Sequence, residues 1–403
     1  MTKPRTSKRG LFVLGLAAIA ALCAYGIHAY RGKGLPPPSK PPSFDGDSTA
    51  LKHTHVIATL DAPIEKGQNT IWCASFQAAW KVLQNDLVKG PVSLDGGGGV
   101  VDALNRAPSP ASDVPEGCVY TAAGWENRGI LQRIRTDLKQ QFPNKAAPTF
   151  PDIGSGSFVV YAYLEASTRF GIAYFQNKKP LAFTDSSGRE MPVSSFGIRP
   201  EDDYAYFRLR EQPRIYLGAQ MDPSTMADGA LRPHECIVDL DRGSAPTQVV
   251  LALVEPKRTM AETLASVERK IATSRIPEQR SGLGPNDVLL VPDVFWRISH
   301  HFRELEGLKR YFQNTTLRGQ RMDVAQEDIV FRLDRSGAEL QAESKTYMAP
   351  VPTYYLFKTP FLICMRKRGA ARPYFAMWVD NAELLREMRP DATGVTVTPE
   401  APK

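Results

Sequence analysis

The sequence predicts an α+β fold, with helices clustered toward the N-terminal half and large β-sheets behind them. Helical periodicity concentrates before residue 145, apolar strand-like runs dominate after residue 158, and one later helix opens on its own capping box. Residues 75–87 put Phe76, Ala79, Trp80, Leu83 and Leu87 on one helical face. Residues 129–142 form a second, more basic helix with Ile130, Ile134 and Leu138 on its apolar side. Between them lies Asp95-Gly-Gly-Gly-Gly99, which no clear strand precedes and no Lys-Ser/Thr follows, so it reads as linker and not as a phosphate cradle. Beyond it, residues 158–164 are strand-like, and residues 248–254 carry a continuous apolar run of the kind a buried strand needs. Thr259-Met-Ala-Glu262 is a capping box, followed by Met260, Leu264, Val267 and Ile271 at helical spacing. Residues 288–291, the Ile329/Phe331/Leu333 alternation, and residues 354–365 and 374–379 complete the strands.

The N-terminal region divides differently. Residues 1–10 are a basic tail with Lys3, Arg5, Lys8 and Arg9, and residues 11–30 contain no fixed charge. A helix of that length rises about 1.5 Å per residue, roughly 30 Å in all, which matches a hydrocarbon core. Four basic residues before the span and only Arg31 and Lys33 just after it favour a cytoplasmic N-terminus and an extracytoplasmic domain. Cleavage as a signal peptide is the rival, but the best cut, after Ala24, puts Leu22 where a small residue is wanted. The expected organisation is therefore a transmembrane anchor over 11–30, a Pro-rich linker over 31–48, one domain over 49–390 and a loose tail over 391–403. The net charge of +7 is concentrated in the six basic residues just named, leaving 7 − 6 = +1 for the remainder, a balance that argues against a nucleic-acid partner. Outside the span, Cys73, Cys118, Cys236 and Cys364 form no CxxC pair; disulfides are allowed in that compartment, and their pairing is open.

The order of the later elements resembles the serpins. The strand from Phe158 through Leu164 toward Phe170 is similar to their long central strand, and Lys179-Pro-Leu-Ala-Phe183 with Ser187-Gly-Arg-Glu-Met-Pro-Val193 is similar to their stretch ending Val-Pro-Met-Met. Leu251-Ala-Leu-Val-Glu-Pro256 before a capped helix, Val291-Pro292 before Phe302 and Leu305-Glu-Gly307, and Phe331-Arg-Leu-Asp-Arg-Ser-Gly-Ala-Glu339 resemble three further family steps, the last being the hinge of the reactive loop. Pro360-Phe-Leu-Ile-Cys-Met-Arg366, Tyr374-Phe375 and Val379-Asp-Asn381 resemble the closing strands. Several positions depart from the pattern. Met377 stands where the family usually has Gly, Ala162 and Glu327 stand where it has a buried Asn and His, and the first family helix is missing. The resemblance implies a serpin-like fold and an inhibitor whose partner is a serine protease, acting as a single-use substrate with no cofactor. A non-inhibitory binding module is the alternative.

The segment 337–352 is where pattern and implied function meet. Ala338, Leu340, Ala342, Ser344, Thr346 and Met348 alternate with Glu339, Gln341, Glu343, Lys345 and Tyr347, giving a small or apolar face and a mostly polar one. In the family this segment is a bait that inserts into the central sheet after cleavage. The reactive-loop candidates are Gly337, Ala338, Glu339, Leu340, Ala342, Ser344, Met348 and Ala349, with the scissile bond between Lys345 and Val351 and Met348-Ala349 preferred. An ordinary edge strand ending at Pro350-Val-Pro352 fits the same alternation. A cysteine hydrolase is a further alternative: Cys73 as nucleophile at the threshold of a helix, Gln68 as oxyanion donor and His234 as base, although a small Cys beside Trp72 fits core packing better. His53 and His55 have no third His nearby and read as a solvated strand, His300-His301 as surface, and Arg366, Lys367 and Arg368 as a basic turn.

Overall fold

In a computed structural model of the chain, the described residues are 41–200, 205–218, 226–227, 230–231, 234–243, 246–336 and 351–388. A five-stranded sheet organises them, built from β1 (Phe44–Asp47), β2 (Val119–Trp125), β3 (Phe158–Ser167), β4 (Val294–His301) and β5 (Met322–Leu333), in the spatial order β1–β4–β5–β3–β2. β5 and β3 run parallel, from Met322 opposite Phe158 to Arg332 opposite Ser167. β4 is antiparallel to β5, and β2 is antiparallel to β3. A parallel pair in the middle of a sheet must be covered on both faces, which explains why β3 reads as an unbroken apolar run.

Helices and a second sheet supply that cover. α1 (Ala74–Val82) and α2 (Gly98–Arg106) precede β2; α3 (Ile130–Gln141) links β2 to β3; and α4 (Met260–Ala272) lies later. Ile130, Ile134 and Leu138 of α3 pack on Val159, Tyr161, Tyr163 and Val324, as their four-residue spacing requires. The opposite face meets α1 and a seven-stranded sheet whose order is 214–217, 236–239, 247–253, 361–367, 375–379, 69–73, 54–57. The two sheets meet through aromatic side chains: Phe331 stacks on Phe375 at 4.4 Å between ring centroids, and Trp296 lies 5.4 Å from Phe331. A third sheet joins residues 354–356, 288–292, 195–198 and 175–176. Gly197 makes that junction possible, because a Cβ there would lie 1.8 Å from the Leu289 carbonyl oxygen.

The expected α+β class holds, and several boundaries shift for identifiable reasons. α1 continues as a π-helical stretch over Leu83–Val88 and stops at Lys89, whose φ is 62°. The glycine run, expected to be linker, instead opens α2, where only Val101 and Leu104 are buried, too short a pattern to register as periodic. Residues 354–365 divide at Pro360: 354–356 pair with 288–290, whereas 361–367 pair with 247–253 in another sheet. Residues 44–47, expected in the linker, pair with Trp296–Ser299 as β1. Thr259 caps α4 as expected, accepting from the Glu262 amide at 3.2 Å. Among the described residues no helix is long and apolar enough to cross a membrane; residues 11–30 and 391–403 lie outside them.

Candidate functional site

Gly337, Ala338, Glu339, Leu340, Ala342, Ser344, Met348 and Ala349 lie outside the described residues, but both of their flanks are described. On the leading side, β5 runs out through Asp334-Arg335-Ser336. Arg332 donates to Asp334 at 2.6 Å and to the Ser336 hydroxyl at 2.9 Å, and the Ser336 carbonyl accepts from the Phe170 amide at 2.9 Å. On the returning side, Thr353 donates its amide to Asp287 at 2.7 Å and its carbonyl accepts from Val288 at 2.9 Å, while Val351 is half exposed. The described flanks are thus tied by backbone hydrogen bonds to different parts of the body, to Phe170 beyond β3 on one side and to Val288 of the third sheet on the other.

Directly below the leading flank is the seam between β3 and β5, which carries buried polar side chains on each face. Toward α1 sits Glu327, fully buried, with Ala162 opposite it on β3 and His300 opposite it on β4. Its Oε1 accepts from the Ser75 hydroxyl at 2.5 Å and from the Phe76 amide at 3.0 Å, in the first turn of α1. Its Oε2 has no hydrogen-bond partner. Burial pushes this carboxyl up to about 8, the two hydrogen bonds and the neighbouring Asp328 charge being smaller influences, so near neutral pH it carries a proton. Toward α3 sits Asp328. Its Oδ2 accepts from Tyr161 at 2.7 Å and from Lys145 at 2.9 Å, and its Oδ1 accepts from Ser299 at 2.8 Å and Gln326 at 2.9 Å. Burial alone would raise its pKa; the Lys145 charge and the donated hydrogen bonds override that and hold it below the ordinary carboxylate value. The Tyr161–Asp328 bond crosses the seam.

The cysteine alternative loses its geometry. Cys73 is buried, and burial together with the Glu327 charge raises its thiol well above the ordinary value, opposite to what a nucleophile requires. His234 is exposed and precedes the 236–239 strand, four strand positions from Cys73's strand, roughly 19 Å at the usual spacing. Cys73, Cys118, Cys236 and Cys364 are all free thiols. His55 is exposed on the edge strand 54–57, as expected, and His53 is exposed in the bend just before it. His300 is a correction. It faces inward, its Nδ1 is 2.8 Å from the Ser48 hydroxyl, and burial lowers its pKa to about 4. The basic residues are also paired: Arg366 with Glu268, and Arg368 with Asp239 and the Asp241 carbonyl. Among the described residues no group of acidic, His and Cys side chains is placed to hold a metal ion.

The architecture is serpin-like. Human glycosylated kallistatin superposes with a TM-score of 0.50 at 12% identity, over 78% of this chain and 92% of that one. Thyroxine-binding globulin in complex with thyroxine gives 0.47 at 11% over 78% and 92%, and serine protease inhibitor (serpin)-12 of Manduca sexta gives 0.43 at 11% over 77% and 98%. At these identities the likeness concerns the fold alone. No protein-family profile matches the chain, and no curated protein sequence matches it.

Proposed function

We propose that this protein is a membrane-anchored, extracytoplasmic inhibitor of a serine protease, consumed as a single-use substrate, with residues 337–352 as its bait. The observation that supports it best is the parallel β3–β5 pair, with the candidate segment leaving from the end of β5. A chain that turned back from Ser336 and entered that seam would run antiparallel to both neighbours, gaining a hydrogen-bond ladder on each edge. The alternation of small or apolar residues from Ala338 to Met348 suits one buried face of such a strand. Anchoring rests on the uncharged stretch 11–30 and the basic residues before it. The test is incubation of the full-length protein with trace trypsin-like, chymotrypsin-like and elastase-like enzymes. An SDS-stable adduct whose enzyme is inactivated supports inhibition; turnover of the segment with no adduct and no loss of enzyme activity rejects it.

A second reading, a serpin-like binding module without inhibition, is favoured by one specific observation. Opening the seam would break the Tyr161–Asp328 hydrogen bond and disturb a buried charge that Lys145 compensates.

A further inference from the structure

The chain enters the body at the end of the central sheet from which the candidate bait leaves. β1 runs parallel to β4, with Phe44 opposite Trp296. Trp296 in turn lies opposite Phe331, and Val294 lies opposite Leu333, the last residue of β5 before the bait's leading flank. β5 is 12 residues long, so the two ends of the sheet are roughly 40 Å apart at the usual rise per residue. Had the chain entered beside the loop that joins β4 to β5, the bait would stand that much farther from the point of entry.

The entry point is fixed by more than strand pairing. The Ser43 amide donates to the Phe295 carbonyl at 2.7 Å, and the Ser43 hydroxyl lies 2.8 Å from the Leu384 carbonyl. Arg386 donates to the Pro41 carbonyl at 2.9 Å, and its guanidinium is close enough to Asp334 and Arg332 to feel both charges. Those two residues hold the leading flank: Asp334 accepts from the Ser336 amide and Arg332 donates to the Ser336 hydroxyl, each at 2.9 Å. Arg386 therefore joins the start of the body to the hinge of the bait.

Chain length then limits how far that hinge can stand from a bilayer. With residues 11–30 in the membrane, only residues 31–40 precede Pro41. These ten residues reach at most roughly 35 Å fully extended, and about 31 Å as a polyproline helix. A reach of that size is about the diameter of a small domain. An enzyme held at the same surface meets the bait at a high effective concentration, whereas one diffusing in bulk gains nothing from the tether.

We infer that the protease this bait meets is itself bound at the membrane surface, with its active site no farther from the bilayer than the short tether and the bait together reach. The inference rests on the anchored, inhibitory reading above.

The test reconstitutes the full-length protein in phosphatidylcholine vesicles that contain a nickel-chelating lipid. A trypsin-like protease is supplied either His-tagged and bound to those vesicles or untagged in solution at the same total concentration. Cutting within 337–352 and adduct formation are followed together. The bound enzyme is expected to react about 100-fold faster. A variant with a helical spacer of about 27 residues between Lys40 and Pro41, adding roughly 40 Å, should lose about tenfold of that advantage and react with the free enzyme as the wild type does. The body lacking residues 1–40 should react equally with both enzymes, which establishes that the tag alone changes nothing. Equal rates for bound and free enzyme on the anchored protein, or a spacer variant that keeps the full advantage, overturn this inference alone. A chain that leaves the vesicles on carbonate washing overturns anchoring and the inference together. Cutting without an adduct rejects inhibition, and the ratio of rates still decides where the partner works.

Discussion

Glu327 is an acid with no exposed atom, held by a hydroxyl and an amide of α1 and facing His300 across β4 and Ala162 across β3. Cys73 and Asp328 are the other titratable groups around it, and neither is positioned to supply positive charge. Its folded-state pKa, about 8, lies above the ordinary value of 4.5. Between those two values the folded protein retains a proton that the unfolded chain has lost. The stability from Glu327 is therefore complete below about 4.5, declines as pH rises toward 8 and is level beyond that, with a total on the order of a few kcal/mol. Glu327→Gln keeps the acceptor for Ser75 and Phe76 and removes the titration. Its melting temperature should match the wild type near pH 5 and exceed it by several degrees at pH 8.5. Asp239, also raised by burial to about 6, contributes to the same decline in both proteins and drops out of the difference. Parallel slopes for the two proteins would mean that Glu327 is ionised in the fold.

At the scale of elements, the seam carries a buried acid on each face of the sheet, Glu327 bonded to α1 and Asp328 bonded across the seam to Tyr161. Tyr161→Phe removes the hydroxyl that donates across the seam to Asp328 on β5 and accepts from Lys145 at 2.9 Å, leaving the bonds of Lys145, Ser299 and Gln326 to Asp328 in place. The intact protein should lose roughly 1.5–3 kcal/mol, the range for a hydrogen bond to a charged group. If a cleaved bait enters the seam, that bond is already broken, so the same substitution should leave the cleaved form's melting temperature almost unchanged. An equal loss in intact and cleaved protein would show that β3 and β5 never part. The seam itself was hard to read in the sequence. Gln326, Glu327 and Asp328 are three consecutive polar residues inside a strand, and they made β5 seem to begin only at Ile329. Single-sequence periodicity cannot reveal that each polar side chain has a partner on another element, because Ser75, Lys145 and Tyr161 are more than 160 residues away along the chain. Where burial followed simple spacing, as in α3 and α4, the elements were legible to within about a residue. The same polar run could have drawn attention to the site, since acids enclosed by apolar strand sequence need partners.

At the scale of the whole molecule, a serpin-like body of large sheets follows an uncharged N-terminal stretch and a proline-rich segment. If residues 11–30 span a bilayer, the full-length chain should remain with membranes through high-salt and carbonate washing, and deleting residues 1–30 should release it. Recovery of a mature soluble chain beginning near Tyr25 would instead establish cleavage.

The proposed bait makes the most demanding prediction, because it links one segment to the stability of the entire body. Limited proteolysis should cut first between Lys345 and Val351, and the cleaved protein should then melt at a markedly higher temperature than the intact one. Two new strand edges and a buried face of small or apolar side chains would have to be lost before the inserted sheet could unfold. Ala342 lies on the face that would turn inward, so Ala342→Arg should permit the same cleavage and prevent the gain, since the guanidinium would enter a dry sheet without a partner. Glu339→Ala, on the opposite face of the same alternation, should leave the gain intact and so separates facing from mere position in the segment. Cleavage that raises the melting temperature equally in the wild type and Ala342→Arg would put the stabilisation somewhere other than the seam. Cleavage without any stabilisation would support the binding-module reading, and resistance of the whole segment to protease would identify it as a fixed edge strand.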